Sequence, residues 1–328
     1  MILSEKLVEN IFTDVKREPN RNGFGAGLVE VGEKNKNVVA LTADLAESTR
    51  AHKFAEVFPD RFVECGVAEQ NMASVASGMA AMGKIPFIAS YAMFSPGRSW
   101  EQIRTTIAYN NANVKIIGAH AGVSVGPDGA THQAIEDMAI MRVMPNMTVI
   151  APADVSEAKA ATIYAAEHKG PLYLRLARSD TPVIFKPAIK FQFGKGEWLM
   201  RNKEDKEKSV GIVVTGTLVH EALLAGKELN QKGISASVLH MPTVKPLDTD
   251  ALDELASKKD LIITLEEHQK AGGLGGAVVE YLCQNQPTRV VRLGVDDEFG
   301  QSGKPEELIA HYALDAKSVI ATAKNFLD

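Results

Sequence analysis

One carboxylate stands out by its place in the sequence. Glu69 follows a short predicted strand at 62–64 and a turn at Gly66, and it lies in the first turn of a helix predicted over 68–82. That helix is built almost entirely of small residues, which let another helix or subunit approach closely. A carboxyl beside such a buried seam is held away from water and tends to take up a proton. The alternative is an acid that only complements the positive end of the helix dipole.

Two aromatic residues follow the next predicted strand, at 85–90. Tyr91 and Phe94 are three residues apart at the end of that strand, where their rings could stack on a flat ligand. Both could equally belong to an ordinary hydrophobic core, and their spacing alone favours the core.

A third segment brings two imidazoles and a carboxylate together in the sequence. His120 follows a predicted strand, Asp128 lies in a Gly-Pro-Asp-Gly turn, and His132 comes four residues later. The two histidines could be a metal pair, but no third ligand stands at a characteristic spacing. The aspartate on its own is typical of a turn. Buried polar groups that meet substrate hydroxyls discriminate strongly against substrates that lack them.

Alternating strands and helices must position these groups. The alternation runs from about residue 38 to residue 176 and predicts a parallel sheet covered by helices on both faces. In such a sheet, ligands bind outside the carboxyl ends of the strands. Glu69, Phe94 and His120 each follow a predicted strand, so we expect them to converge there. The other elements predicted in this half are strands at 38–42 and 172–176 and a helix over 154–168.

The rest of the chain predicts a second, smaller domain. A charge run at 201–208 is typical of a solvated linker. The glycine-rich segment 272–277 does not follow its strand directly and so fails the dinucleotide-binding fingerprint. We interpret it as a closely packed helix start. The remaining predicted elements are an amphipathic helix over 4–18, a hairpin over 191–198, and strands at 210–214, 236–240, 261–265 and 289–293.

Composition excludes several classes of protein. The formal net charge of -5 provides no basic surface for nucleic acid. Cys65 and Cys283 are far apart and have no metal-ligand spacing, so we interpret both as reduced thiols. The amino terminus is charged too early for a signal peptide, and no apolar run approaches membrane length. We therefore expect a soluble, cytoplasmic enzyme that binds neither nucleic acid nor a membrane.

Two motifs carry a resemblance to a known family. The chain reads Gly-Val-Ala-Glu-Gln at 66–70 and Gly-Ala-His-Ala-Gly-Val-Ser-Val-Gly-Pro-Asp-Gly-Ala-Thr-His-Gln at 118–133. With an aromatic strand end between them, they resemble the pyrimidine-binding half of a transketolase. The resemblance covers nearly all of residues 20–320. It implies an α/β fold, with a pyrimidine-binding domain at 1–190 and a smaller α/β transketolase carboxyl-terminal domain at 191–328.

The resemblance implies thiamine diphosphate as the cofactor. The family's glutamate at the place of Glu69 hydrogen-bonds the aminopyrimidine ring and favours its imino tautomer. Glu69 is therefore the expected catalytic residue, and His132 is the second. Phe94 is expected to stack on the pyrimidine, with Tyr91 beside it and Arg98 also in the cofactor site. No metal ligand is expected in this chain.

The family's substrate-binding residues match further positions. Those that resemble the family's grip on a sugar phosphate are Arg21, Ser48 and Arg178. Those that would meet the ketose hydroxyls are His120, Asp128 and His132. His120 also argues against a deoxyxylulose-phosphate synthase, in which we expect Asp-Arg at that place. From spacing alone, the three residues matched to phosphate binding could have other roles. Arg21 could be a surface arginine, Ser48 a helix cap, and Arg178 part of an interdomain ion pair.

One signature of a whole transketolase is missing from the sequence. The family's diphosphate-binding domain carries a Gly-Asp-Gly motif with a later asparagine, and we find no such signature here. The resemblance therefore implies the carboxyl-terminal subunit of a split transketolase. The amino-terminal partner subunit would bring the diphosphate site and its Mg²⁺ or Ca²⁺ ion, in an alpha2beta2 heterotetramer of the pentose phosphate pathway.

The expected reaction transfers a two-carbon ketol unit from a ketose phosphate to an aldose phosphate. Two alternatives stay open. The chain could be a subunit of another thiamine-dependent enzyme, such as a relative of deoxyxylulose-phosphate synthase or the beta subunit of a 2-oxoacid dehydrogenase, although the motif at 128–132 disfavours the dehydrogenase. It could also be a catalytically silent scaffold partner that has kept the fold.

Overall fold

The computed structural model describes residues 1–202 and 208–327. The strands are β1 (Ile2–Leu3), β2 (Arg17–Pro19), β3 (Val38–Thr42), β4 (Phe62–Glu64), β5 (Ile85–Tyr91), β6 (Lys115–Ala119), β7 (Thr148–Ile150), β8 (Leu172–Arg175), β9 (Asp180–Pro182), β10 (Glu197–Arg201), β11 (Ser209–Val214), β12 (Ser235–His240), β13 (Thr243–Lys245), β14 (Leu261–Gln269) and β15 (Val290–Val295).

The helices are α1 (Asn20–Lys34), α2 (Ala46–Thr49), α3 (His52–Val57), α4 (Glu69–Ala81), α5 (Trp100–Gln102), α6 (Asp137–Arg142), α7 (Val155–Glu167), α8 (Val219–Gln231), α9 (Thr249–Ala256), α10 (Leu274–Asn285), α11 (Pro305–His311) and α12 (Ala316–Leu327). Turns of tighter or wider helical geometry lie at Pro59–Arg61, Met93–Arg98, Ile103–Ala108, Val123–Asp128 and Gly216–Leu218.

Seven of the described strands form the first sheet, in the order β13, β7, β8, β6, β5, β3, β4. Its neighbouring strands are parallel, apart from the antiparallel pair of β13 and β7. Strands β3 and β6 are buried along their whole length, as expected for a parallel sheet covered on both faces. The predicted architecture of this half is confirmed.

Helices cover both faces of this sheet. Helices α1, α3 and α7 share one apolar core, which includes Phe54, and α4 and α6 cover the opposite face with side chains such as Met72. Helix α1 lies very close to α7 because Gly23 has no side chain. A Cβ at Gly23 would lie 2.1 Å from the carbonyl oxygen of Val155.

The second sheet has the order β1, β10, β12, β11, β14, β15 in the described part of the chain. Strands β12, β11, β14 and β15 are parallel, and β10 and β1 extend the sheet in antiparallel fashion. Helices α8, α11 and α12 pack on one face, and α9 and α10 pack on the other. This half is therefore the second α/β unit that the sequence predicts.

Two short strands cross the predicted boundary at residue 190. Strand β1 joins the second sheet by pairing with β10, and β13 joins the first sheet by pairing with β7. The sheets therefore do not divide the chain cleanly into 1–190 and 191–328, and these bounds stay a prediction.

The predicted helix over 4–18 is wrong. Leu7 pairs with Phe185 in an antiparallel bridge, and Ile11 is buried in the core of the second sheet. Apolar burial against the rest of the molecule outweighs the weak helical pattern of this segment, because intrinsic helix propensity is worth only a fraction of 1 kcal/mol per residue.

The predicted hairpin over 191–198 is also wrong. Strand β10 pairs with β1 and β12, and Phe193 stacks on Tyr164 at a ring separation of 5.1 Å. Of the charge run interpreted as a linker, residues 203–207 lie outside the described residues. Within the described part, none of the helices has both the length and the apolar composition needed to cross a membrane.

Candidate active site

Glu69 begins α4 and is almost fully buried, with 1% of its surface exposed. Its carboxylate accepts a hydrogen bond from a guanidinium nitrogen of Arg98 at 2.8 Å. The side chain of Arg98 is 48% exposed, so the cation reaches the buried carboxylate from the solvent side. The sequence predicted a carboxyl that tends to hold a proton, whereas the structure places a cation against it.

Four rings form a cluster next to this ion pair. The ring of Tyr91 stacks on His120 with centroids 3.8 Å apart, and Phe94 is 5.8 Å from Tyr91 and nearly parallel to it. His132 meets the Phe94 ring edge-on at 5.5 Å. The guanidinium of Arg98 lies 4.8 Å from the Phe94 centroid. The same cation therefore covers both the buried carboxylate and the ring that is predicted to stack on a flat ligand.

His120 is a neutral, buried imidazole in a strained backbone conformation. Its φ of 55° is rare outside glycine, and such strain clusters at functional sites. Burial, followed by the charges of Arg21, Arg178 and Arg50, lowers the pKa of His120 to about 2. The Arg21 guanidinium approaches Nε2 at 3.4 Å, so we assign the proton to Nδ1. Nδ1 is buried and has no hydrogen-bond partner among the described residues.

Arginines gather around this imidazole. Burial, together with the charges of Arg50 and Arg178, lowers the pKa of Arg21 to about 10. Arg21 donates to the backbone carbonyl of Ser48 at 2.6 Å. Like charges held this close are unfavourable unless an anion joins them, and strongly perturbed groups of this kind mark functional sites. The cluster is therefore a candidate anion-binding site.

A cleft of about 420 Å³ opens beside the arginines. Its lining residues are Arg17, Arg21, Arg178, Ser179, Asp180, Pro305 and Glu306. Arg17 and Arg50 were not among the site residues predicted from the sequence. Arg17 stands four residues before Arg21, and Arg50 stands two residues after Ser48. Both spacings were signals that could have drawn attention to a cluster.

The loop that follows His120 carries the remaining candidates. Asp128 is exposed at the end of the turn Val123–Asp128, and His132 is partly buried against Phe94. The His132 ring nitrogen Nδ1 lies 2.9 Å from the Thr131 hydroxyl. Asp128 therefore lies at the rim, while His132 belongs to the ring cluster.

The topology explains why these groups meet. Tyr91 ends β5, His120 follows β6 and Arg178 comes soon after β8, and these strands are parallel neighbours in the sheet. Their carboxyl ends therefore share one edge, where open α/β sheets bind ligands. Ser48, one of the residues predicted to bind phosphate, presents its backbone carbonyl rather than its hydroxyl to Arg21.

Comparison with known proteins agrees with this geometry. Residues 19–183 match the family model described as transketolase, pyrimidine binding domain, and residues 200–319 match transketolase, C-terminal domain. The chain belongs to the transketolase family. The predicted family and fold are thereby confirmed, and membership indicates a transferase-type enzyme.

Relatives of similar length support the same assignment. A protein of Methanocaldococcus jannaschii described as a transketolase C-terminal section is 46% identical, over 91% of this chain and 93% of the relative. One of the subunits of the apulose-4-phosphate transketolase of Phocaeicola vulgatus is 36% identical, over 94% of this chain and 97% of the relative. The solved structure of a split gene transketolase, an inactive beta4 tetramer, has 43% identity and a TM-score of 0.84, covering 94% of this chain and 98% of that one.

Transketolases generally use thiamine diphosphate with a divalent metal. The residues present fit the aminopyrimidine end of this cofactor, because a buried carboxylate and an aromatic face lie side by side under a single solvent-reaching guanidinium. Among residues 1–202 and 208–327, no three His, Cys, Asp or Glu side chains gather in a group that could hold a metal ion. The roles of the individual residues stay predictions.

Proposed function

We propose that this chain is the carboxyl-terminal subunit of a split transketolase that transfers a two-carbon ketol unit from a ketose phosphate to an aldose phosphate. One observation carries the proposal: the ion pair of buried Glu69 and half-exposed Arg98, the ring cluster and the arginine cluster lie along one edge of one sheet. A cofactor site and an anion site are thus adjacent, as transfer between sugar phosphates requires.

Each group has a distinct part in this proposal. When bound, thiamine diphosphate supplies the electron sink for breaking a carbon–carbon bond next to a carbonyl. Glu69 would hold the aminopyrimidine by a hydrogen bond and Phe94 would stack on its ring, once Arg98 has turned away from both. Low-dielectric surroundings strengthen the carboxyl's hydrogen bond, because water competes little at a buried site.

The substrate would lie between the rings and the arginines. Arg21 and Arg178 would offer their guanidinium groups to a phosphate. A guanidinium binds phosphate well because it can donate two parallel, charge-assisted hydrogen bonds. His120 is neutral, and its Nδ1–H, which has no partner in the described part of the chain, would donate a hydrogen bond to a substrate oxygen. Asp128 and His132 would meet the sugar hydroxyls from the loop. The relative that is named for apulose-4-phosphate indicates that the sugar itself varies within the family.

The chain would act only with an amino-terminal partner subunit. Support comes from two sides: relatives that match over nearly their whole length are described as a C-terminal section and as one subunit of a transketolase, and the related solved structure of beta chains alone is described as inactive. The partner would supply the diphosphate site and the divalent metal, and an alpha2beta2 assembly would complete two equivalent sites.

The test is reconstitution. The chain is purified with its amino-terminal subunit, and ketol transfer is measured with thiamine diphosphate and Mg²⁺ for the wild type, Glu69→Ala and the exposed control Glu56→Ala. We expect turnover to fall by about 100-fold or more in Glu69→Ala, as for the loss of a proton-handling group, and to be unchanged in Glu56→Ala. Full turnover in Glu69→Ala would contradict the assignment, and an inactive wild-type complex would favour the silent-scaffold alternative.

A further inference from the structure

The loop of residues 120–133 is attached to the second domain at both of its ends. Near its start, the carboxylate of Glu267 accepts a hydrogen bond from the backbone N–H of Ser124. Glu267 belongs to β14 and is 3% exposed. The contact is possible because position 122 is glycine, since a Cβ on Gly122 would lie 2.3 Å from the Glu267 carboxylate.

Gln133 makes the attachment at the other end. Its side-chain amide donates to the carbonyl of Val123 at 2.8 Å and to the carbonyl of Gln301 at 2.9 Å. A single buried side chain thus closes the loop on itself and joins it to the segment 299–303 of the second domain. Gln133 is 1% exposed, so water does not compete for these bonds.

The second domain also lies directly against the turn that carries Asp128. A Cβ on Gly129 would lie 2.6 Å from the Ser302 hydroxyl, and a Cβ on Gly126 would lie 3.3 Å from the carbonyl oxygen of Gly303. The position of the turn is therefore set by backbone and side chains that come more than 160 residues later in the sequence.

We propose that Gln133 and Glu267 are positioning residues, through which the second domain sets the place of Asp128 and His132 in the active site. This inference rests on the proposed function, and it assigns to the second domain a share in substrate binding. Neither residue belongs to the ring cluster or to the arginine cluster. They act by fixing the loop that carries Asp128 and His132. A small displacement of substrate-binding groups lowers the reaction rate markedly.

Gly300 provides a sharp test, because the three atoms nearest to a Cβ at that position all belong to Gln133. A Cβ at Gly300 would lie 1.9 Å from the Gln133 side-chain oxygen, and its backbone has no positive φ that would strain alanine. Gly300→Ala must therefore displace the Gln133 amide from its two carbonyl partners. The control is Glu298→Ala, two residues before Gly300, because the Glu298 side chain is exposed and its backbone carbonyl keeps the hydrogen bond from Gln269.

In the reconstituted complex, we expect Gly300→Ala to lower kcat/KM by about tenfold, mainly through KM for the ketose donor. Half-saturation by thiamine diphosphate should not change, because Glu69 and Phe94 lie outside the loop. Gln133→Ala should have a similar effect. Adding Gly300→Ala to Gln133→Ala should change kcat/KM by less than about twofold, because no amide remains to be displaced.

Hydrogen exchange measured by mass spectrometry gives a readout that needs no activity. We expect faster exchange in residues 122–133 of Gly300→Ala, and wild-type exchange in Glu298→Ala. This measurement separates the two proposals, because it decides the positioning role even if the wild-type complex transfers no ketol unit. Wild-type exchange and kinetics in Gly300→Ala, or an equal loss of activity when it is added to Gln133→Ala, would overturn the inference.

Discussion

His120 should make the stability of the isolated chain fall as the medium becomes acidic. Burial, and then the charges of Arg21, Arg178 and Arg50, lower its pKa to about 2. In the unfolded chain a histidine has a pKa of about 6.5. The unfolded state therefore takes up a proton first as the pH falls, and the free energy of unfolding decreases below about pH 6.5. Above that pH the contribution of His120 is complete.

The expected loss in the free energy of unfolding follows from the difference between the folded and unfolded pKa values of His120. Between pH 7 and pH 5 the folded state leaves His120 neutral, while the unfolded state gains most of a proton. Each pH unit below the unfolded pKa costs about 1.4 kcal/mol, so the loss over this interval is about 2 kcal/mol. His168, whose pKa burial lowers to about 4, adds a loss of the same sign, which is smaller because this side chain is only half-buried and solvent screens it. The comparison must therefore be made between variants rather than on the wild type alone.

The assay is urea unfolding of the isolated chain at pH 7 and pH 5. His120→Gln should lose about 2 kcal/mol less than the wild type on going from pH 7 to pH 5. His168→Gln tests a second, half-buried histidine, and His311→Gln, at an exposed position, serves as the control. If the wild type and His120→Gln lose the same free energy over this interval, the electrostatic account of the arginine cluster is refuted.

Three further variants test other parts of the site. Arg98→Ala leaves the Glu69 carboxylate buried without its cation. Urea unfolding of the isolated chain should show that the free energy of unfolding falls by about 2 kcal/mol, less than for a fully buried pair because Arg98 is half exposed. An unchanged free energy of unfolding would contradict the ion pair. Arg17→Ala should raise KM for a phosphorylated donor by about threefold and leave an unphosphorylated ketose unaffected, with Lys16→Ala as the neighbouring control; equal KM changes for both donors would exclude a phosphate contact. Burial lowers the pKa of Lys115 to about 7. Between pH 7 and pH 9 the unfolded chain therefore holds more protons than the folded chain, and the free energy of unfolding rises with pH. Lys115→Met should remove about 2 kcal/mol of that rise, and an unchanged rise would contradict the lowered pKa of Lys115.

The elements of the first half follow closely from sequence, because buried parallel strands leave a simple pattern. The predicted strands at 38–42 and 62–64 have the bounds found in the structure, Val38–Thr42 and Phe62–Glu64. The helix predicted over 154–168 is found at Val155–Glu167, with Asp154 capping it by accepting from the N–H of Glu157. Strong local signals and tertiary packing agree here, which is what makes a local prediction succeed.

The second half shows where local pattern fails. The strand predicted at 261–265 runs on to Gln269 through Glu266, Glu267 and His268, all of them buried. Charged residues are rarely buried unless they are paired, so the local pattern provided no reason to extend the strand. Their partners come from elsewhere: the N–H groups that open α10 donate to Glu266, and Arg175 donates to the Glu267 carbonyl.

The candidate site was likewise only partly predictable from the sequence. Residue types and strand ends predicted which groups would meet, because parallel strands bring their carboxyl ends to one edge. The pairing of Glu69 with Arg98 was not predictable, since it joins positions 29 residues apart across a tertiary contact. Nor was the attachment of the loop by Gln133, whose partner Gln301 is 168 residues away.

The pairing of Glu69 with Arg98 bears on how the cofactor would bind. A buried carboxylate cannot lose its cation without gaining another hydrogen-bonding partner, because an unpaired buried charge is expensive. Arg98 lies over Phe94 as well, so its departure would free the ring and the carboxylate together. An aminopyrimidine that shares one proton between its ring nitrogen and the Glu69 carboxyl, and that lays its flat face on Phe94, would replace both lost contacts in a single step. Ligands that provide only one of the two would have to displace Arg98 without full compensation, and the ion pair would therefore act as a filter for the complete pyrimidine.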